Sequence, residues 1–206
     1  MQSFTCQVCG KQFDVQDATL AKYPGWQPQR CLSCKRKPAT RSAPAREENL
    51  TTLEVLAKYT AGPTDGVFTD GAAEPNPGPG GWGAVYVVGN EIVAEGDGHE
   101  QQTTNNRMEL SALIAGVALV PEGTPAIVYT DSQLCVSTMN EWAAGWEKRG
   151  WKRKGGEIKN LELVKEAYAL FKSRPELMLR WIAAHSGNRW NEYADCLATA
   201  YRRTKR

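Results

Sequence analysis

Two short apolar runs that each end in an aspartate are the feature that most constrains the fold of this chain. Val67–Thr69 leads into Asp70, which Gly71 follows, and Ala126–Thr130 leads into Asp131. Runs of this length and β-branched content predict buried strands. A carboxylate at the end of a buried strand is costly unless a positive charge compensates it. The sequence therefore predicts a sheet that carries acidic groups at the ends of its strands.

Two further acids lie in helical patterns. Glu109 stands in the first turns of one amphipathic segment, and Asp195 lies inside another. Converging carboxylates are the ligands that Mg²⁺ prefers, and a pair of such ions can drive in-line displacement at phosphorus. Together the four acids predict a metal-dependent phosphodiesterase. Taken singly, Asp131 fits a helix cap equally well, and Glu109 fits a solvated helix face better.

The motifs around these acids resemble those of the ribonuclease H family, in its type 1 bacterial form. The resemblance runs from near Gly66 to near Tyr201, and His185 stands ten residues before Asp195. No single motif is specific, but their joint order is. The motifs are Thr69-Asp70-Gly71, Asn76–Ala84, Thr103–Leu110, Tyr129–Gln133, Trp142–Lys152 and His185–Asn188, followed by Asn191, Glu192 and Asp195.

The resemblance implies an endonuclease that hydrolyses the RNA strand of RNA–DNA hybrids and leaves 5′-phosphate and 3′-hydroxyl ends. It implies two Mg²⁺ ions per site, with Mn²⁺ as an alternative. A lone histidine is more often structural, but the position of His185 matches the family's loop histidine, which moves protons and helps the product leave. The catalytic residues implied are Asp70, Glu109, Asp131, His185 and Asp195, of which the four acids hold the metal.

The resemblance also implies a set of substrate contacts. Sequence-neutral recognition of a hybrid depends on 2′-hydroxyl groups that only one strand carries. Helix capping is the alternative explanation for the pair Asn105-Asn106. The contacts implied are the Gly71 backbone, Asn105 and Gln133 for ribose hydroxyls, and Asn76, Thr104 and Asn106 for the DNA strand.

A basic, aromatic segment follows the acidic centre of the chain. Residues 50–146 hold twelve acidic and two basic side chains, whereas residues 147–159 hold six basic and two acidic ones. An acidic centre beside a basic segment suits a protein that holds cations and grips phosphates. The segment matches the family's basic protrusion, which grips the DNA strand, although its tryptophans could also belong to the core. Its residues are Trp142, Trp146, Lys148, Arg149, Trp151 and Lys152.

Two Cys-x-x-Cys pairs at the N-terminus predict a structural zinc site. Cys6 and Cys9 are separated from Cys31 and Cys34 by 21 residues. Four thiolates suit tetrahedral Zn²⁺, and so short a module needs metal to fold. The module is similar to a zinc ribbon. Its role stays open between a nucleic-acid tether, a structural knob and a docking site for another protein; Tyr23, Trp26 and Lys35-Arg36-Lys37 are its candidate contacts for nucleic acid.

The order of the predicted elements indicates an α/β fold with a mixed five-stranded sheet flanked by helices, and the resemblance implies that this fold is of the ribonuclease H type. The expected domains are a zinc-ribbon-like module at 1–37, a linker with a short helix at 38–62 and a catalytic domain at 63–206. The predicted strands are Val67–Thr69, Trp82–Val88, Glu91–Ala94, Ala126–Thr130 and Leu177–Ile182, with Gly89-Asn90 as a hairpin turn. The predicted helices are Asn49–Tyr59, Thr104–Leu119, Ser132–Asn140, Asn160–Lys172 and Trp190–Arg202.

The remaining expectations concern context. No run of the sequence approaches the length of a membrane span, and the first residues lack a signal pattern. We therefore expect a soluble, cytoplasmic protein. We also expect a monomer, and the resemblance implies that its partner is an RNA–DNA hybrid. The rival functions are a hybrid-binding protein that does not cleave, an integrase-like enzyme and a zinc-ribbon interaction protein. The four acids together with His185 argue against the first, and the pair Asn105-Asn106 together with the basic segment argues against the second.

Overall fold

A computed structural model of the 206-residue chain divides into two compact units, Met1–Glu48 and Asn49–Arg206. The residues that the structure describes are 1–7, 10–22, 27–29, 31–32 and 49–203.

The N-terminal unit contains a β-hairpin and a short helix. Strand β1 (Gln2–Thr5) pairs antiparallel with β2 (Gln12–Val15), and helix α1 spans Asp17–Lys22. Phe4 lies opposite Phe13, with ring centroids 6.2 Å apart. This aromatic pair packs across the hairpin and supports the pairing of its two strands.

The chain turns sharply after β1. The Gly10 amide donates to the Cys6 carbonyl at 2.9 Å, and Gly10 has a φ of +69° that glycine adopts without strain. The Gln7 amide donates to the Gln29 carbonyl, and both Cys6 and Cys31 are buried. Several predicted residues lie outside the described part of the chain: Cys9, Cys34, Tyr23, Trp26, Lys35-Arg36-Lys37 and residues 38–48 of the predicted linker.

The larger unit is built on a five-stranded sheet with the order β5-β4-β3-β6-β7. The first three strands form an antiparallel meander, β6 runs parallel to β3, and β7 runs parallel to β6. The predicted mixed sheet is confirmed. The strands are β3 Gly66–Ala73, β4 Gly78–Val88, β5 Glu91–Thr103, β6 Ala126–Thr130 and β7 Leu177–Trp181.

Helices cover both faces of this sheet. None of the helices in the described part of the chain is long and apolar enough to cross a membrane. A π-helical turn spans Thr138–Trp142, and a 3₁₀ turn spans Ala200–Arg202. The helices are α2 Thr52–Lys58, α3 Asn105–Ala118, α4 Gln133–Ser137, α5 Ala143–Lys148, α6 Leu161–Ser173 and α7 Arg189–Ala198.

Alternation along β3 divides the core into two clusters. Val67 points to one face, where it joins a cluster that includes Leu113 of α3 and Val164 of α6. Phe68 points to the other face, where it packs in a cluster with Trp190 of α7. Successive side chains of a strand point to opposite faces, so a central strand between two helical layers is apolar throughout. Both Val67 and Phe68 are fully buried.

Strand β3 extends past its predicted end at Thr69, so Asp70 lies inside the strand and pairs with Gly83 of β4. A Cβ at Gly83 would lie 2.4 Å from the Ala194 carbonyl oxygen, and one at Gly71 would lie 2.2 Å from the Glu109 amide nitrogen. These glycines let α7 and α3 approach the sheet closely. The predicted strand ends at Thr69 because a glycine, which weakens strands, follows Asp70 directly.

Other boundaries also differ from the sequence predictions. The Gly89-Asn90 turn is present, with positive φ at both residues, but β5 continues to Thr103 rather than ending at Ala94. It is an exposed edge strand, and its many polar residues lack the apolar pattern by which the other strands are recognised in the sequence. The helix predicted to start at Ser132 breaks into α4 and a π-helical turn, and the last helix ends at Ala198.

Candidate active site

The parallel pairing of β3 and β6 places two aspartates side by side. Thr69 lies opposite Thr130, so Asp70 and Asp131, the next residue of each run, are neighbours. Gly71 allows the first turns of α3 to approach, which brings Glu109 to the same place. Carboxylate oxygens of the three acids all lie within 4.8 Å of one another. The sheet and α3 thus build a compact acidic cluster.

A second group of ligand atoms comes from α7 and the loop before it. His185, Glu192 and Asp195 each offer an atom within 4.8 Å of the others. Glu192 and Asp195 are three residues apart, so they lie on one face of the helix. Asp195 acts electrostatically on Asp70, which links this group to the cluster of Asp70, Glu109 and Asp131.

Burial and mutual repulsion raise the pKa values of these acids. Burial is the largest cause for Asp70, whose pKa is raised well above its ordinary value, and Glu109, Asp131 and Asp195 add to it. Burial likewise raises the pKa of Glu109 strongly, and the Asp131 charge adds to it. One hydrogen bond opposes each shift, from the Gly71 amide at 2.7 Å and from the Thr130 hydroxyl at 3.5 Å. When these groups are ionised together, the repulsion between their charges destabilises the folded state.

Asp131 is better compensated than the other two acids. Burial raises its pKa, whereas a hydrogen bond from Asn191 and the nearby His185 lower it. Its main-chain carbonyl accepts a hydrogen bond from the Trp181 indole at 3.1 Å. Ser132, whose hydroxyl accepts from the Cys135 amide, caps α4. The side chain of Asp131 therefore faces the acidic cluster rather than capping a helix.

The donor set fits a hard divalent cation. The cluster offers several carboxylate oxygens in a buried setting, without a compensating Lys or Arg hydrogen bond to the three acids among the described residues. Mg²⁺ and Mn²⁺ take oxygen ligands of this kind, whereas Zn²⁺ prefers nitrogen and sulfur. The acids therefore fit a divalent cation better than a structural ion pair.

His185 stands at the rim of the cluster in a tight loop. Its φ is +46°, and more than half of its side chain is exposed. Its Nδ1 lies 3.9 Å from an oxygen of Glu192, while the other oxygen of Glu192 accepts from the Gly187 amide at 3.1 Å. The Ser186 hydroxyl donates to the Ala183 carbonyl. These bonds place an exposed imidazole beside the carboxylates.

Three residues near the acids have no role in the sequence-based prediction. Asn191 is 2% exposed and lies beside Asp131. Glu192 is buried beside His185. The Trp181 indole donates to the Asp131 carbonyl. Asn191 stands four residues before Asp195, and Glu192 stands three before it. Helical spacing to a predicted ligand is the signal that would have found Asn191 and Glu192.

The predicted substrate residues around α3 form a connected group. The Asn105 side-chain oxygen accepts from the Ala73 amide at 2.6 Å, and the Asn76 side-chain oxygen accepts from the Asn105 amide at 3.2 Å. Thr104 is the N-cap of α3, so neither Asn105 nor Asn106 caps this helix. Asn106 is exposed on the first turn of α3. The turn after β3 is thus tied to the start of α3.

The basic segment combines core and exposed residues. Trp146 and Trp151 are partly buried against the core, and Trp151 contacts Tyr168 edge-on at 6.0 Å. Trp142 is 40% exposed and lies 5.9 Å from Trp146, centroid to centroid. The predicted cations here, Lys148, Arg149 and Lys152, are all exposed, as is Gln133 at the start of α4. The segment therefore presents charge and one aromatic face to solvent.

The chain was compared with known protein families and structures. A family model described as RNase H matches residues 64–203. The chain belongs to the ribonuclease H family. The match confirms the prediction that the chain is an enzyme of the ribonuclease H class. It covers β3 to the 3₁₀ turn and therefore contains all four acids and His185.

Individual relatives agree with this assignment. The chain is 44% identical over 140 residues to a ribonuclease H of Dechloromonas aromatica, covering 68% of this chain and 93% of that protein. It is 43% identical over 137 residues to a ribonuclease H of Methylorubrum extorquens, covering 66% of this chain but only 59% of that protein. These matches support the bacterial form of the family.

Solved structures agree as well. LC9-RNase H1, a type 1 ribonuclease H with the type 2 active-site motif, matches with a TM-score of 0.57 at 34% identity, covering 68% of this chain and 74% of that one. The N-terminal ribonuclease H domain of a Mycobacterium tuberculosis protein matches with a TM-score of 0.51 at 30% identity, covering 65% of this chain and 89% of the solved one.

The repulsion within the acidic cluster predicts a stabilising substitution. Asp70→Asn should unfold several degrees above the native protein at neutral pH in the presence of EDTA, because it removes one buried charge. Raised pKa values mean that the folded state binds protons more readily than the unfolded chain. The native protein should therefore gain stability as the pH falls from neutral towards the ordinary carboxyl value of about 4, and the difference should shrink.

The measurement is the thermal unfolding midpoint across this pH range, with Glu122→Gln as a control at an exposed acid outside the site. A midpoint for Asp70→Asn at or below that of the native protein at neutral pH would contradict the repulsion described above.

Proposed function

We propose that this chain is an endonuclease that hydrolyses the RNA strand of RNA–DNA hybrids by a two-metal-ion mechanism, leaving 5′-phosphate and 3′-hydroxyl ends. The observation that carries the proposal is the convergence of Asp70, Glu109 and Asp131, with oxygens within 4.8 Å of one another. Membership of the ribonuclease H family supports the substrate class.

The four acids would hold the metal. Bound Mg²⁺ would supply charge stabilisation at phosphorus and a more acidic water, and Mn²⁺ has the same ligand preferences. Asp70 interacts with Glu109, Asp131 and Asp195, which makes it the central member of the cluster. Its position inside β3, where it pairs with Gly83 of β4, fixes its backbone. Asp70 is therefore the acid whose loss should be most damaging.

His185 would handle a proton during the reaction. Its imidazole is exposed at the rim, where substrate has access, and Glu192 lies beside Nδ1. A carboxylate next to one ring nitrogen orients the ring and leaves the other nitrogen for a reacting group. The leaving 3′ oxygen of the RNA strand is the group that needs a proton. We therefore assign His185 to proton transfer and product release.

The polar group at α3 would read the hybrid. Small amides both donate and accept, so Asn105 and Gln133, with the Gly71 backbone, suit ribose hydroxyl groups. Asn76, Thr104 and Asn106 would hold the DNA strand on the other side. The exposed cations Lys148, Arg149 and Lys152, with Trp142, Trp146 and Trp151, would grip the DNA phosphates and sugars.

The proposal is tested by offering the purified protein three duplexes in Mg²⁺. Cleavage of the RNA strand of a hybrid is expected, while duplex DNA and duplex RNA should stay intact. Asp70→Asn should lower the rate by at least about a thousandfold, because the central ligand is lost, and should leave hybrid binding largely unchanged. Glu122→Gln should cleave as the native protein does. Equal cleavage of all three duplexes, or full activity of Asp70→Asn, would contradict the proposal.

We further propose that the N-terminal unit holds one structural Zn²⁺ through Cys6, Cys9, Cys31 and Cys34. Cys6 and Cys31 are buried, and the Gln7–Gln29 hydrogen bond ties the two halves of the unit together near them. Thiolate pairs of this spacing suit a reducing compartment, so we place the protein in the cytoplasm, acting as a monomer. The unit would tether nucleic acid or dock another protein.

Metal analysis of the full chain tests the zinc proposal. About one zinc per chain is expected. Cys6→Ser should lower the zinc content well below one equivalent, because three thiolates bind zinc more weakly than four. Cys196→Ser is the matched control, since Cys196 is a buried thiol of α7 in the larger unit. Zinc content that is unchanged in Cys6→Ser, or absent from the native chain, would overturn the proposal.

A further inference from the structure

We infer that residues 49–62 are a positioning element for the His185 loop and α7, and we name this segment the brace. It lies before residue 64, where the match to the family begins. The inference rests on the proposed function, because it concerns how His185 is held for the reaction.

Helix α2 of the brace has its own local support. Thr51 and Glu54 form a reciprocal cap, in which the Thr51 amide donates to the Glu54 carboxylate at 2.7 Å and the Thr51 hydroxyl accepts from the Glu54 amide. Such a cap favours even a two-turn helix. The apolar side of α2 is buried, and Val55 is 2% exposed in the cluster that also contains Trp190 and Tyr193 of α7.

Polar contacts fix the brace along α7. The Thr52 side chain lies near the Tyr193 hydroxyl, which donates to Glu95 of β5 at 2.7 Å. The Leu50 carbonyl accepts from the Cys196 thiol and from the Arg203 guanidinium, both at 3.0 Å. Cys196 is the residue next to Asp195, so the brace holds the turn of α7 that presents a predicted metal ligand. Buried polar groups of this kind specify one arrangement of the packed helices.

The end of the brace meets the end of the His185 loop. The Ala61 carbonyl accepts from the Arg189 amide at 2.8 Å, and Ala61 forms an isolated parallel bridge with Asn188. Arg189 is the first residue of α7, and the first amides of a helix have no partner within the helix. A Cβ at Gly62 would lie 2.7 Å from the Asn188 side-chain oxygen. The main chain of the brace thus passes directly against the loop.

Only three residues separate His185 from Arg189, the residue whose amide binds Ala61. The Gly187 amide donates to Glu192, whose other oxygen lies 3.9 Å from His185 Nδ1. The Arg189–Ala61 hydrogen bond therefore fixes the far end of the His185 loop, and the Gly187–Glu192 and Glu192–His185 contacts then set the direction of the imidazole. We call this hydrogen bond the anchor. Loss of this anchor should misplace a reacting group without removing any contact with the hybrid. A small misplacement of a reacting group lowers kcat more than it raises KM.

A single pair of variants isolates this anchor. Arg189→Pro removes the amide hydrogen that binds Ala61, and Arg189→Ala keeps it while losing the same side chain. Proline is accepted at the first position of a helix, and the extended backbone of Asn188, with φ −70° and ψ 111°, suits a residue before proline. A difference between the two variants therefore reports the anchor rather than the arginine side chain.

The expected result is a kcat for hybrid cleavage about tenfold lower in Arg189→Pro than in Arg189→Ala. The KM for the hybrid should agree within about twofold, since the anchor does not touch substrate. In a His185→Ala background the two variants should have the same kcat, because the anchor acts through His185. Equal kcat values in the native background, or an equal loss in the presence and absence of His185, would overturn the inference.

Amide hydrogen exchange gives a readout that does not depend on activity. The Gly187 amide should exchange faster in Arg189→Pro than in Arg189→Ala, whereas the Ala73 amide, which donates to Asn105, should not change. If the native protein failed to cleave hybrids, the proposed function would fall, and Gly187 exchange would still decide whether the brace holds the loop. Unchanged Gly187 exchange would contradict it.

Discussion

The mutual repulsion of buried carboxylates is the constraint around which the larger unit is organised. Asp70 lies inside a central strand, and burial together with Glu109, Asp131 and Asp195 holds its pKa well above the ordinary range. A fold dominated by stability alone would not place these groups together. The close packing of the surrounding strands and helices instead keeps a cation-binding geometry in place before a cation arrives.

Close main-chain approach makes this geometry possible. Gly71 lets α3 approach β3 so that Glu109 reaches Asp70, and Gly83 lets α7 approach β4. The same principle operates at the brace, where Gly62 allows the main chain to lie against Asn188. At each place a side chain would separate two elements that carry functional groups. These glycines therefore position the site although they contribute no chemistry to it.

The acids were predictable from sequence because strand ends and helix faces have strong local signals, and the order of the motifs resembled one family. The extent of β3 was not predictable, because the reason for a glycine within the strand is the close packing of a helix on it, which the sequence does not reveal. The roles of Asn191 and Glu192 were not predicted, since they depend on which face of α7 meets Asp131 and His185. Local sequence patterns predict the helices and strands, whereas the packing of these elements against one another decides which of their residues are in contact.

The most direct test of the central claim is a crystal structure with Mn²⁺, located by its anomalous scattering. The account predicts metal peaks coordinated by oxygens of Asp70 and at least two of Glu109, Asp131 and Asp195, with little movement of the surrounding main chain. Carboxylates that point away from one another, or a cluster without metal at saturating Mn²⁺, would contradict it.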